Sequence, residues 1–120
     1  MAPVVAAFSG SLLVIGLIAV ETVQPMPIMM TVGCIESDGR GGFILTRAAE
    51  PQALSERMPA VPAADVPLGT KTLKLIGTLD EFGISSHEGK KVWAKGLLNA
   101  GDPLDLLNLT SITQLTAACD

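Results

Sequence analysis

From residue 28 onward the chain alternates apolar and polar positions in short runs, the period-two signature of half-buried strands. The first run covers 28–36, with Ile28, Met30, Val32 and Cys34 on one face. Asp38-Gly39-Arg40-Gly41-Gly42 follows, and Asp-Gly is a strong hairpin-turn signal. The returning strand covers 43–47, with Phe43 and Leu45 opposite Ile44 and Thr46. Further runs predict strands over 71–79, 91–98 and 107–118; in the last, Leu109, Ser111, Thr113 and Leu115 share a face.

Between the third and fourth strands the pattern changes. Thr78-Leu79-Asp80-Glu81 reads as a helix start, with Thr78 or Asp80 as cap and acidic residues favoured by the helix dipole. Leu79, Phe82 and Ile84 are placed to plug one end of a barrel, and Gly89 ends the turn as a left-handed cap. The connection over 48–70 carries Pro51, Pro59, Pro62 and Pro67, so no long element crosses it. Two turns of helix are expected over 51–58, with Pro51 at the first helical position, and the connection as a whole is expected to be mobile.

Five short strands with a single helix between the third and fourth predict an all-β fold, a small five-stranded OB-type Greek-key barrel. On the fourth strand Lys91, Trp93 and Lys95 share a face opposite Val92, Ala94, Gly96 and Leu98. Two lysines do not suit the inside of so small a barrel, which places Trp93 outside it.

Residues 3–20 carry no charge, which approaches the length of a bilayer span and also fits the apolar part of a secretory signal. The domains expected are therefore a signal peptide or membrane anchor over 1–24, forming an apolar helix, and a barrel over 25–120. No Lys or Arg precedes the run and no small-x-small cleavage site closes it. Both readings place the folded part outside the cytoplasm, periplasmic or secreted, with anchorage to the inner membrane as the alternative to release. Cys34 lies too far beyond the run to be a lipid-modified cysteine.

Val32-Gly33-Cys34, Gly42-Phe43-x-Leu45-Thr46, Leu73-x-Leu75-x-Gly77, His87-x-Gly89-Lys90-x-Val92 with Gly96, and a cysteine one residue from the end form an ordered set. In order and spacing this set resembles small exported bacterial OB-fold proteins, most of them uncharacterised, over about residues 28–120. The resemblance implies a fold and a compartment. It implies no reaction. The Pro-rich insertion over 48–70 and the absence of a basic leader depart from it.

Charge and chemistry narrow the function further. Eight basic against twelve acidic side chains give a net charge of −4, opposite to the balance of proteins that bind by neutralising phosphates, so a nucleic-acid partner is disfavoured. Cys34 and Cys119 are the only cysteines, and an even count in an exported chain invites a disulfide; in a cytosolic chain they would be two unpaired thiols. His87 is the only histidine, with Ser85 and Ser86 beside it, and reads as a helix-terminal residue near free carbonyls rather than as a catalytic base. Gly39-x-Gly41-Gly42 lacks the helix and lysine of a phosphate loop and reads as a hairpin. Asp80, Glu81, Glu88, Asp102 and Asp105 are too scattered for a calcium loop, no zinc spacing occurs, and Asn108-Leu109-Thr110 is a glycosylation triplet inside a strand.

The expectation is a non-enzymatic, exported binding module of the cell envelope that uses no cofactor and no metal. Its binding face is placed at Lys74, Lys91, Trp93 and Lys95, where an aromatic between cations suits a flat ligand; the competing reading has Trp93 covering an apolar patch beneath the 48–70 connection. The partner is a small ligand or an envelope protein, with the membrane engaged through residues 3–20. The alternative function is a membrane-anchored structural or assembly protein.

Overall fold

Alternation at period two becomes, in the computed structural model, a ring of strands; the model describes residues 26–119, so the apolar run 3–20 and its expected helix lie outside the described residues. The strands are β1 (Met29–Ser37), β2 (Phe43–Ala48), β3 (Gln52–Ala53), β4 (Lys71–Ile76), β5 (Lys91–Asn99) and β6 (Leu106–Thr116). Their order is β2-β4-β6-β5-β1-β3, and β1 also pairs with β2, so β1, β2, β4, β6 and β5 follow one another round a ring. All ring pairings are antiparallel except β4 with β6, which run parallel.

Inward-facing residues fill the ring. Ile35, Leu45, Leu73, Leu75, Val92 and Leu107 are almost completely buried and pack together. Each such side chain stabilises the fold by roughly 1.5–3 kcal/mol relative to leaving it in water. Ile84 closes one end, with Leu79 and Phe82 packed against the same core, as their spacing predicts.

The segment carrying that plug is not one helix. Two 3-10 turns, Leu79–Phe82 and Ile84–His87, flank Gly83, whose φ of 60° breaks the helical path. Thr78 occupies the N-cap position of the first turn, as expected, but makes no side-chain cap bond, and Asp80 lies inside the turn. The third predicted strand also stops early, at Ile76, because Gly77 (φ 108°) turns the chain away beside the Asn108 side chain.

The alternation predicted for the last strand is interrupted. Lys95 faces Ser111 while Gly96 faces Leu109, so Thr110 is an extra residue, and its hydroxyl donates to Lys95 O at 3.2 Å. One extra residue reverses which side chains point inward. Leu107 and Leu109 are core residues, and Ile112, rather than Ser111 or Thr113, continues the packing against it.

The helix expected over 51–58 is absent. β2 pairs with β1 only from Cys34 to Ser37, which leaves the backbone of Met29 and Met30 open on that side. Gln52 and Ala53 take up this edge as β3, opposite Met30 and Met29, and Leu54 N donates to Ile28 O at 2.9 Å. Satisfying open backbone groups outweighs a marginal two-turn helix. The connection is hydrogen-bonded to the ring at both of its ends. Ala49 N donates to Val32 O and Gly69 N to Arg47 O, both at 2.9 Å, and the Thr31 hydroxyl donates to Ala49 O at 2.5 Å.

Candidate functional site

Trp93 and Lys74, two of the residues that the sequence singles out, border recesses that share no lining residue. The first lies outside the ring, under the Pro-rich segment. Parity on β5 places Lys91, Trp93 and Lys95 on the outer face, and Val92 and Ala94 inside, as expected. The outer face is not free. Trp93 is 4% exposed and forms part of a cavity of about 240 Å³ with Met30, Val32, Pro59, Pro62 and Val66. The Pro-rich segment therefore covers the tryptophan.

Lys91 is 6% exposed, and its ammonium donates to Ala64 O at 2.8 Å and to Val66 O at 2.5 Å. Those bonds commit it to holding the covering segment. Lys95 lies over the Trp93 ring, its Nζ 4.5 Å from the centroid, a cation–π arrangement that takes up one ring face. Of the two sequence readings of Trp93, the geometry is that of a residue beneath the 48–70 connection.

Lys74 is elsewhere. It projects from β4 opposite Ile44 and Leu106, whereas Lys91 lies opposite Cys34 and Thr116. The structure thus brings together Lys91, Trp93 and Lys95 and leaves Lys74 in a second recess. This is an open cleft of about 620 Å³ between the β1–β2 turn and the β5–β6 loop, walled by Arg40, Gly42, Ile44 and Leu104. A hollow of about 270 Å³ adjoins it, sharing Lys74 and Leu104 and bounded by Asp102, Pro103 and Leu106.

The turn that borders the cleft is organised by one carboxylate. Asp38 Oδ1 accepts from Arg40 N at 2.7 Å and Gly42 N at 2.9 Å, and Oδ2 accepts from Lys74 Nζ at 2.5 Å. The Lys74 bond first, and then the two backbone bonds, lower the Asp38 pKa from its ordinary 3.8 to about 2. A Cβ on Gly42 would overlap Lys74 Nζ, so glycine there gives the ammonium its place. The Gly39-x-Gly41-Gly42 run reads in sequence only as a hairpin, and the β5–β6 loop carries no motif that marks a site; only the closing of the ring sets Arg40, Gly42 and Leu104 around Lys74.

Cys34 and Cys119 form a disulfide, with Cα atoms 5.9 Å apart, which ties the C-terminal tail to β1. The bond suits an oxidising compartment. Arg47 Nη2 donates to Cys119 O at 2.8 Å and Cys119 N donates to Gly89 O at 3.0 Å, so the tail is held by more than the sulfur bridge. His87 Nδ1 lies 3.0 Å from Gly83 O, the local carbonyl contact expected for it. Among the described residues no three His, Cys, Asp or Glu side chains converge as metal ligands, and no helix is long and apolar enough to cross a membrane.

Comparison with protein-family models, with curated proteins and with solved structures returns no match for this chain.

Proposed function

We propose that this chain is a non-enzymatic binding module built on an OB-type barrel, exported to the cell envelope, and that its ligand seats in the cleft around Lys74. The observation that carries this reading is the placement of Lys74 between two loops. The ring order β1-β2-β4-β6-β5, with one parallel pair and two 3-10 turns between β4 and β5, supports the OB-type reading. In such barrels the second and third ring strands, with the loops after the first and fourth, hold oligonucleotides or oligosaccharides. Here those elements are β2, β4, the 38–42 turn and the 100–105 loop, which surround Lys74.

The cleft offers the Arg40 guanidinium and the Lys74 ammonium, one of whose donors is taken by the Asp38 carboxylate, beside the apolar walls of Ile44, Leu104 and Leu106. This suits a ligand with an anionic or hydroxyl-rich group and an apolar side. The chain's charge of −4 favours an envelope glycan or small anion over a nucleic acid. The disulfide supports export.

Backbone NMR titration of the full chain with envelope glycan fragments, small anionic metabolites and a single-stranded oligonucleotide tests the reading. Shifts should concentrate at Asp38–Gly42, Lys74 and residues 100–106, and Lys74→Ala should weaken binding by about tenfold or more, the effect of losing a charged hydrogen bond. If every ligand class leaves these resonances unmoved, or moves only the Pro-rich segment, the assignment of the cleft fails.

A further inference from the structure

The large exposed hydrophobic residues among those described are Met26, Ile28, Met58 and Val61. They come from two stretches that meet in space. Leu54 N donates to Ile28 O, β3 pairs with the first two residues of β1, and Pro59, Ala60 and Pro62 line the Trp93 cavity together with Met30. Met58 is 86% exposed and Val61 56%, although each stands next to a proline or alanine that turns inward. The Pro-rich segment therefore buries one set of residues over Trp93 and presents another set to the outside. Apolar side chains gathered on one side of a small domain mark an interaction surface.

The course of the chain points to what covers it. Met26 belongs to this surface, and residues 21–25 alone separate it from the uncharged run 3–20. Five residues reach at most about 18 Å when fully extended. A bilayer engaged by the run is thus within reach of the side carrying Met58 and Val61. Each such side chain gains roughly 1.5–3 kcal/mol on leaving water for an apolar environment.

We propose that this side of the barrel, formed by residues 26–28 and the 58–61 part of the Pro-rich segment, lies on a lipid bilayer, with Met58 and Val61 entering the acyl boundary. The Lys91 bonds to Ala64 and Val66 then serve as the brace that holds the two side chains outward. This assigns the Pro-rich insertion a membrane-facing role separate from the Lys74 cleft and independent of whether that cleft binds a ligand.

The test uses the full chain, with methyl-labelled methionine, in phosphatidylcholine nanodiscs containing a spin-labelled lipid. The Met26 and Met58 methyl signals should broaden severalfold more than that of Met30, which is half-buried at the cavity. Val61→Glu should relieve the Met58 broadening severalfold while Met26, next to the tether, stays broadened; Val61 is exposed enough for the fold to tolerate the change. Broadening at Met26 with an unaffected Met58 would show a tethered barrel that does not touch lipid, and would overturn the proposal. So would a Met58 signal that responds to protein concentration and not to the spin label, which would identify a second copy as the occupant.

Discussion

Lys91 Nζ donates to the carbonyl oxygen of Val66 at 2.5 Å, joining the fifth strand to the segment laid over its outer face. The same ammonium reaches Ala64 O, so one buried cation binds two carbonyls of a single turn, 63–66, of the Pro-rich stretch that covers Trp93. The strand lysine is a structural brace.

Replacing it should show this. Lys91→Met keeps the apolar stem and removes both bonds, leaving two carbonyls to find water. Loss of hydrogen bonds to a charged donor predicts a destabilisation of about 1–3 kcal/mol in urea unfolding. Trp93 emission should move to the red as water reaches the cavity, and proteolysis within 58–67 should accelerate before global unfolding. Unchanged emission and unchanged proteolysis would show that the segment holds itself in place.

Asp38 should govern part of the acid response. Its folded pKa is about 2, against 3.8 for the ordinary side chain. A lowered folded value means the unfolded chain binds the proton more readily. The contribution is therefore fully present above pH 3.8 and is lost as pH falls through the window down to about 2. Asp38→Asn should flatten the pH dependence of the unfolding midpoint within that window. It should also release Lys74 from its position at the cleft, visible as exchange broadening of residues 38–42.

The disulfide should supply much of the stability of so small a domain. Cys34 and Cys119 are 85 residues apart in sequence. Closing a loop of that length restricts the unfolded chain by about 4–5 kcal/mol in the entropic model, an upper figure. Denaturant titration with and without reductant, and of the Cys34→Ser, Cys119→Ser double variant, should give matching losses up to that size. A loss below about 1 kcal/mol would mean that the Arg47 and Gly89 contacts alone hold the tail.

Gly96 should be intolerant of any side chain. A Cβ there would overlap Asn108 O and lie 3.1 Å from Leu109 Cα, backbone atoms of a paired strand that have no rotamer through which to yield. Gly96→Ala should cost about 1–3 kcal/mol or more, as overpacking does, and should disturb the adjoining bulge at Thr110. Thermal unfolding measures the loss, and the Thr110 amide resonance reports the bulge.

Much of the fold is legible in the sequence because strand formation leaves a local trace. The alternation over Met29–Ser37, Phe43–Ala48 and Lys91–Asn99, the Asp-Gly turn, and the plug of Leu79, Phe82 and Ile84 follow from neighbouring residues alone. The site is less legible. Lys74 and Trp93 both read as binding residues on strands of one barrel, yet nothing local records that one faces a cleft and the other lies under a strap. The Pro-rich stretch fails as a helix for a related reason: its partner, the open edge at Met29 and Met30, is set by where the β1–β2 pairing stops.

What the sequence determined by itself is which side chains share a face along β4 and β5, where the chain reverses, and that two cysteines suit an oxidising compartment. These depend on the pleat, on turn chemistry and on composition, which short segments carry. On β1 the apolar face of Met30 and Val32 lies outside with Trp93, and Ile35 enters the core. Tertiary structure decided the register at the Thr110 bulge, the burial of Lys91 and Trp93 beneath residues 59–66, and the meeting of Arg40, Gly42, Lys74 and Leu104 at one cleft. Each of these is a contact between residues far apart in the chain, and its energy exists only once the ring has closed.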